Sequence, residues 1–311
     1  LGRDDVLAFW FGESDEPTPP AVCDAAARSL AAGETFYSHN LGLAELRDAV
    51  ARYVSGLHRP VDAERIAVTS SGVTALMVAM QLLVDAGDEV AAVVPVWPNL
   101  TAQPAVLGAS VRRVSLRPHA GAWRLDLNEL LAAVTPRTRA LLVNAPNNPT
   151  GWTLEPDEQR AILEHCRRTG TWVVADEVYE RVWFGAGRAA PSFLDIAGPD
   201  DRLVVVHSFS KSFLMTGWRL GWLVLPPGVA ATVAKLIEFN SSCAPVFVQR
   251  GGVAALATAD DFVPALVERL RACRDMLVDG LAALPGVTVA RPAGGLYAFF
   301  RVEGRDDSLA F

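Results

Sequence analysis

The chain has 311 residues, of which 51% are hydrophobic and 20% charged, with a formal net charge of −7. This balance is typical of a globular protein with a substantial core, and the negative charge argues against a nucleic-acid-binding surface. No apolar run is long enough to span a bilayer, and four scattered cysteines without a C-x-x-C pair fit reduced thiols in a cytoplasmic, metal-free protein.

Short apolar runs alternate with helical patterns along the chain, which predicts an α/β fold with a mostly parallel sheet. Runs this apolar suit strands that helices cover on both faces. The predicted strands are residues 65–69, 89–94, 111–116, 140–143, 172–175, 203–207 and 221–225. The helices predicted between and after them are residues 43–57, 73–83, 156–168 and 229–239.

The sequence changes character after about residue 255. A long amphipathic helix is predicted over residues 261–283, and two strand-like runs follow it at residues 287–289 and 295–302. This arrangement indicates a second, smaller α+β domain. In α/β sheets, the ligand crevice lies outside the carboxyl ends of the strands, so the polar residues at those ends are candidate site residues.

The first two candidate segments follow the first two predicted strands. The turn T-S-S-G-V-T at residues 69–74 leads into a helix, and Gly72 would let a phosphate approach the helix N-terminus closely. Many α/β turns look similar, so this signal is weak alone. Trp97 follows the next strand, where its indole could stack on a flat ring or pack in an interface.

Two more segments follow later strands. Residues 144–151 read N-A-P-N-N-P-T-G, a rigid turn unusually dense in asparagine and proline. Asp176 comes directly after its strand, where a carboxylate could pair with a pyridinium nitrogen and make the ring an electron sink. Tyr179 could reach the phenolic oxygen of the same ring. The alternative for this pair is a helix-capping aspartate beside a packed tyrosine.

Lys211 lies in the segment S-F-S-K-S-F at residues 208–213, just past an apolar strand. A lone lysine in a serine-rich turn is usually a solvated surface residue. Here Arg219 follows eight residues later, before the next strand. Amine chemistry needs a lysine of depressed basicity, and phosphate binding needs arginine and hydroxyl groups, so one segment supplies both.

Together these segments resemble the class I/II aminotransferases, the fold-type-I pyridoxal-phosphate enzymes similar to aspartate aminotransferase. The resemblance runs from about Phe11 to Phe300, and its most specific parts are S-F-S-K at 208–211 with G-W-R-L-G at 217–221, and N-N-P-T-G at 147–151. It implies a mostly parallel seven-stranded sheet in a three-layer large domain, plus a smaller α+β domain.

The resemblance also implies a role for each motif residue. Lys211 would carry pyridoxal 5'-phosphate as a Schiff base and move the proton between substrate carbon and cofactor. Asp176 would hold the pyridinium nitrogen, while Tyr179 and Asn148 would bind the ring oxygen. The residues that would bind the phosphate are Ser208, Arg219 and the backbone of Ser71, Gly72 and Val73.

Further implied roles concern the substrate and a second subunit. Trp97 would stack on the ring and, with Asn148 and Gly12, face the substrate, Gly12 lying beside its carboxylate. Tyr37 would reach the phosphate of a partner subunit, which implies a homodimer with shared active sites. Arg291, Arg301 and Arg305 do not match the context of the arginine that binds the substrate carboxylate, so we expect that arginine beyond Phe311.

The same resemblance divides the chain into three parts. Residues 1–40 would contribute to the small domain and dimer contacts, residues 41–255 would form the cofactor-binding domain, and residues 256–311 would begin the C-terminal small domain. The implied activity moves an amino group from an amino acid to a 2-oxo acid. Alternatives on the same scaffold are a carbon–sulfur β-lyase, a cyclopropane-forming synthase, an amino-acid oxidase, or the cofactor-binding domain of a transcription regulator.

Overall fold

A seven-stranded sheet forms the centre of the molecule in a computed structural model, which describes residues 5, 9, 11–305 and 307. The strands in chain order are β1 (Ile66–Thr69), β2 (Glu89–Val94), β3 (Ser110–Ser115), β4 (Arg117–His119), β5 (Ala122–Arg124), β6 (Thr138–Asn144), β7 (Trp172–Asp176), β8 (Leu203–Ser208), β9 (Gly221–Val224), β10 (Val287–Val289) and β11 (Phe300–Val302). The pairs β4–β5 and β10–β11 form two small separate sheets.

Helices surround the central sheet. In chain order they are α1 (Pro20–Ala31), α2 (Ala44–Ser55), α3 (Gly72–Leu83), α4 (Asn99–Val106), α5 (Leu127–Ala133), α6 (Pro156–Thr169), α7 (Ala230–Ser241), α8 (Val246–Ala257) and α9 (Ala259–Ala282). Within the part of the chain that the structure describes, no helix has both the length and the apolar character needed to cross a bilayer.

The central sheet has the strand order β1-β9-β8-β7-β6-β2-β3. Strand β9 runs antiparallel to both of its neighbours, β1 and β8, whereas the other neighbouring strands are parallel. The carboxyl ends of six strands and the beginning of β9 therefore meet at one edge of the sheet. The prediction of a mostly parallel sheet is confirmed.

Two apolar layers cover the faces of this sheet. Leu76 of α3 and Ile237 of α7 pack on one face, and Leu46 of α2 and Ile162 of α6 pack on the other. Alternate residues of a strand point to opposite layers, and both layers bury them, which explains why the strands read as continuous apolar runs. The result is the three-layer arrangement that the resemblance implies.

The structure corrects several of the sequence-based elements. The predicted strand over residues 295–302 is wrong in its first half, because only Phe300–Val302 pairs with another strand. Four helices, α1, α4, α5 and α8, have no counterpart in the prediction. Both α1 and α8 are rich in alanine and small residues, and they pack mainly on each other, so neither shows a continuous stripe of large apolar side chains.

Candidate active site

A cavity of about 300 Å³ opens at the edge where the strand ends meet. Every predicted site residue except Ser71 and Tyr37 lines it. Strands β1, β2, β6, β7 and β8 each deliver one segment to its wall, and Arg219 precedes β9 at the same edge. The sheet thus brings together residues that are distant in sequence, as its strand order requires.

Lys211 lies on the short connection between β8 and β9, and its amine points into the cavity. Nζ donates a hydrogen bond to the carbonyl oxygen of Gly12 at 2.6 Å. Burial lowers the pKa of this amine; the nearby charge of Arg219 acts in the same direction, while Glu13 and Asp176 oppose it. A lowered pKa increases the fraction of neutral, nucleophilic amine.

Asp176 ends β7 and is only 3% exposed. The Val178 N–H donates to Oδ1 at 3.3 Å, and no lysine, arginine or histidine nitrogen among the described residues lies within 4 Å of this carboxylate. Burial raises its pKa to about 7, and the charge of Lys211 offsets part of that rise. A carboxyl group buried beside a cavity without a cationic partner is suited to a ligand that carries one.

Tyr179 meets a second tyrosine that the sequence reading missed. Its hydroxyl lies 3.0 Å from that of Tyr297, and burial raises the pKa of Tyr179 well above its ordinary value. Two residues before Tyr297, the Gly295 N–H donates a hydrogen bond to the Val182 carbonyl oxygen at 2.8 Å. This bond fixes the segment against the turn that follows β7. In the sequence, the two adjacent glycines at 294–295 indicate that this segment departs from a regular strand.

The beginning of α3 forms one wall of the cavity together with Ser208 and Arg219. The first N–H groups of a helix have no intrahelical acceptor, and Gly72 and Val73, at the beginning of α3, line this side of the cavity. A Cβ on Gly72 would lie 2.9 Å from Ser208 Cβ, so the close packing here depends on glycine. Helix N-terminus, hydroxyl and guanidinium together suit a phosphate dianion.

Ser71 and Tyr37 lie outside the cavity lining. The Ser71 hydroxyl accepts a hydrogen bond from Thr74 N at 3.0 Å, so it caps α3 and fixes the turn that positions Gly72. Tyr37 is 88% exposed on the surface. Its predicted role involves a second subunit and stays a prediction.

The donor set fits pyridoxal 5'-phosphate at each of its polar positions. The buried Asp176 carboxyl lacks a cation, the cradle beside Gly72 would be filled by a Cβ, and Lys211 supplies an amine of lowered pKa. Fold and site together thus define a class, namely α/β enzymes that hold a phosphorylated heterocycle at the carboxyl edge of the sheet beside a lysine.

Comparison with known proteins specifies the family. The model for aminotransferase class I and II matches residues 4–310, and the chain belongs to this family. The arginine–pyruvate transaminase AruH of Pseudomonas aeruginosa is 34% identical over 96% of this chain and 76% of its own. The aspartate/prephenate aminotransferase of Thermus thermophilus is 34% identical over 94% and 76% of the respective chains.

Solved structures agree with this assignment. Aspartate aminotransferase from Thermotoga maritima superposes with a TM-score of 0.91 at 30% identity, covering 96% of this chain and 78% of that one. N-succinyldiaminopimelate aminotransferase from Mycobacterium tuberculosis gives 0.86 at 35% identity, covering 91% and 74%. The predicted fold class and aminotransferase activity are confirmed, and the lyase, synthase, oxidase and regulator alternatives are not favoured.

Proposed function

We propose that this aminotransferase moves an amino group from an amino acid to a 2-oxo acid with pyridoxal 5'-phosphate held at Lys211. The main support for this proposal is that Lys211 Nζ, the Asp176 carboxyl group and the turn at Gly72 surround one cavity of about 300 Å³. When bound, pyridoxal phosphate supplies an electron sink for the charge that develops at the substrate α-carbon. The name of one relative, arginine–pyruvate transaminase, pairs an amino acid with a 2-oxo acid, which supports this substrate class.

Different residues of the cavity would bind different parts of the cofactor. Asp176 would face the ring nitrogen, because a cation there offsets the desolvation that raises its pKa. Asn148 and Tyr179 would bind the ring oxygen from the adjacent strand ends. Trp97 would cover one face of the ring and exclude water from it.

Lys211 would also move the proton. Because burial lowers the pKa of Nζ, the free amine can accept a proton from the substrate α-carbon and return it at a different atom. The Gly12 carbonyl, which accepts a hydrogen bond from Nζ at 2.6 Å, holds the amine on the side of the cavity where Gly12 would face the substrate. Binding and proton transfer would then share one wall.

A homodimer with shared active sites is the assembly we propose. Phe36 and Tyr37 are 83% and 88% exposed, and large aromatic side chains left this exposed are typical of an interaction surface. In this proposal Tyr37 completes the phosphate cradle of the partner subunit. In this proposal the chain has three parts. Residues 1–40 contribute to the small domain and to dimer contacts, residues 41–255 form the cofactor-binding domain, and residues 256–311 begin the C-terminal small domain.

Covalent trapping tests the assignment of Lys211. The sequence contains one other lysine, Lys235, which is exposed on α7 and provides a matched control. Borohydride reduction of the cofactor-loaded enzyme followed by peptide mass spectrometry should place the pyridoxyl group on Lys211 alone. Lys211→Ala should lose turnover by several orders of magnitude while keeping its circular dichroism spectrum, and Lys235→Ala should retain both.

The half reaction tests transamination itself. With an amino acid and no oxo acid, a transaminase converts its bound cofactor to a stable amine form, so the absorbance should change and remain changed. A lyase would return to the starting absorbance and release product. Retained turnover in Lys211→Ala, or a pyridoxyl group on Lys235, would contradict the proposal.

A further inference from the structure

A cluster of ionisable side chains, all of them buried except the partly exposed Asp195, lies behind the turn after β7, outside the cavity. Its members are His58, Glu177, Glu180, Asp195 and His207. His58 follows α2, Glu177 and Glu180 belong to the turn after β7, and His207 is on β8. None of these residues lines the cavity, so the proposed chemistry does not use them directly.

His58 connects two carboxylates across this buried cluster, and its side chain is only 2% exposed. Nδ1 lies 2.8 Å from Asp195 Oδ1, and Nε2 lies 3.1 Å from Glu180 Oε2. Carboxylates accept hydrogen bonds, so both ring nitrogens must donate and the ring is an imidazolium. Burial alone would lower the pKa of His58, but these two hydrogen bonds outweigh it and raise the pKa to about 10.

The remaining members complete the charge balance. Burial raises the pKa of Glu177 to about 8, and its carboxyl accepts from Ser192 Oγ at 2.5 Å and Phe193 N at 3.1 Å. Burial would raise the pKa of Glu180 as well, but His207 and His58 lower it below its ordinary value. Burial lowers the pKa of His207, and the nearby charge of Glu180 opposes this shift.

Glu177, Glu180 and His207 bring ligand-type atoms within 4.8 Å of one another, an arrangement that could resemble a metal site. However, Glu180 already accepts from His58, and Glu177 already accepts from Ser192 and Phe193. The titratable and charged groups facing His58 are Glu180, Glu177, Asp195 and His207, with Arg59 and Arg181 at the margin. Hydrogen bonds within the cluster already engage both glutamate carboxyl groups.

The turn after β7 connects this cluster to the cavity. Asp176 and Tyr179 point to the cavity, whereas Glu177 and Glu180 point into the cluster. Glu180 N donates to Glu177 O at 2.9 Å, which makes the four residues one tight unit. Displacing Glu180 would therefore displace Tyr179, its neighbour in the same turn, and strain Asp176.

We propose that His58 is a positioning residue of the cofactor site: as an imidazolium it fixes Glu180, and through the shared turn it holds Asp176 and Tyr179 in place. This inference rests on the proposed function, in which both residues hold the cofactor. His58 lies far from these residues in sequence, and only the fold brings the loop after α2 against the turn after β7.

The test compares His58→Gln with His165→Gln. His165 lies on α6 and bonds to the Val134 carbonyl oxygen at 2.7 Å, remote from the cluster, so it controls for the loss of a partly buried imidazole. Titration of the apoenzyme with pyridoxal phosphate should show about tenfold weaker binding for His58→Gln, the loss typical of removing an outer-shell partner. His165→Gln should bind like the wild type.

A spectroscopic readout separates positioning from general stability. The midpoint of the pH titration of the bound cofactor's absorbance should move upward by about one unit in His58→Gln, because a displaced Asp176 supports the ring nitrogen less well. Asp195→Asn, at a partner whose side chain is 41% exposed, should move both readouts in the same direction by a smaller amount.

The outcomes distinguish this inference from the proposed function. If the wild type binds pyridoxal phosphate at Lys211 and both His58→Gln and Asp195→Asn match it in affinity and absorbance, the role of His58 is refuted and the function stands. If His58→Gln does not fold, Asp195→Asn decides by the same two readouts. If the wild type carries no cofactor on Lys211, the proposed function itself fails.

Discussion

At the scale of single residues, burial drives two groups of opposite charge toward neutrality in one cavity. It lowers the pKa of Lys211 and raises the pKa of Asp176 to about 7. An ion pair between them would offset both shifts, yet Nζ donates to the Gly12 carbonyl oxygen instead. In the proposed function, this arrangement leaves the amine available for covalent attachment and the carboxyl group available for a cationic ring nitrogen.

The raised pKa of Asp176 predicts how the cofactor-free enzyme responds to pH. The ordinary value is 3.8 and the folded value is about 7, so the folded state binds the proton more tightly. This contribution to the free energy of unfolding is fully present below about pH 3.8 and is lost as pH rises to about 7, by on the order of 4 kcal/mol at most. Thermal unfolding of the apoenzyme at several pH values measures it.

Asp176→Asn provides the matching control, because it keeps the shape of the side chain and removes the titration. The difference in stability between the variant and the wild-type apoenzyme should grow between pH 4 and 7 in favour of the variant. With cofactor bound, the order should reverse, since asparagine cannot pair with a cationic nitrogen. A difference that stays constant over this pH range would contradict the assigned pKa.

The sequence was sufficient to predict that residues of local motifs, such as Lys211 with Arg219 and Asp176 with Tyr179, lie at one edge of the sheet, where they line one cavity. It was insufficient for Tyr297 and His58, which act through contacts with elements distant in the chain. No local pattern marks a tyrosine that meets another hydroxyl across the cavity. Such residues require the positions of the surrounding elements before their partners are known.

At the scale of elements, the first residue of strand β9 packs closely against the backbone of two neighbouring elements. A Cβ on Gly221 would lie 2.6 Å from Gly72 N and 2.8 Å from the His207 carbonyl oxygen, all of them backbone atoms. The first residue of β9 thus sets how closely the beginning of α3 approaches β8. Because backbone cannot rotate away, any side chain here must move the phosphate cradle.

Gly221→Ala should therefore destabilise the fold by about 1–3 kcal/mol and weaken phosphate binding. Urea unfolding gives the stability, and displacement of pyridoxal phosphate by inorganic phosphate gives the affinity of the cradle. Gly217→Ala is the matched control, since its Cβ would have no neighbour within 4 Å and should change stability by less than about 0.5 kcal/mol. Equal effects at the two positions would contradict this description of β9.

Helices and strands were predictable from the sequence where their burial leaves a clear pattern of apolar residues. The strands of the central sheet read correctly within a few residues because both faces are covered. The strand predicted over residues 295–302 was wrong in its first half because its apolar residues have two different environments. Some line the cavity, and others belong to a short hairpin. Helices α1 and α8 were not predicted from the sequence, because small residues rather than a stripe of large apolar side chains form the contact between them.

At the scale of the whole molecule, the proposed shared site makes subunit mixing informative. Tyr37→Phe should weaken cofactor binding about tenfold or less, and Lys211→Ala should be inactive. In a mixed dimer, one site combines Lys211 from the first variant with Tyr37 from the second, and that site should regain wild-type affinity and turnover. The other site carries both defects.

Activity measured after co-refolding the two variants tests this arrangement. Mixing should give more activity than the average of the separate variants. If half of the dimers are mixed and each has one intact site, the mixed dimers alone contribute about a quarter of the wild-type level. Activity equal to that average would place Tyr37 in its own subunit's site or outside any site. Separately refolded and then combined subunits provide the control for exchange.

The antiparallel strand β9 has a consequence for the order in which the enzyme becomes competent. Thr69 pairs with Gly221, although about half of the chain separates them, and β9 is the strand through which β1 joins the described sheet. Until this long-range pairing forms, the connection carrying Lys211 and Arg219 is not fixed against Gly72. We therefore expect cofactor uptake during synthesis to follow closure of the sheet, so excess pyridoxal phosphate should protect nascent chains from proteolysis only after β9 has emerged.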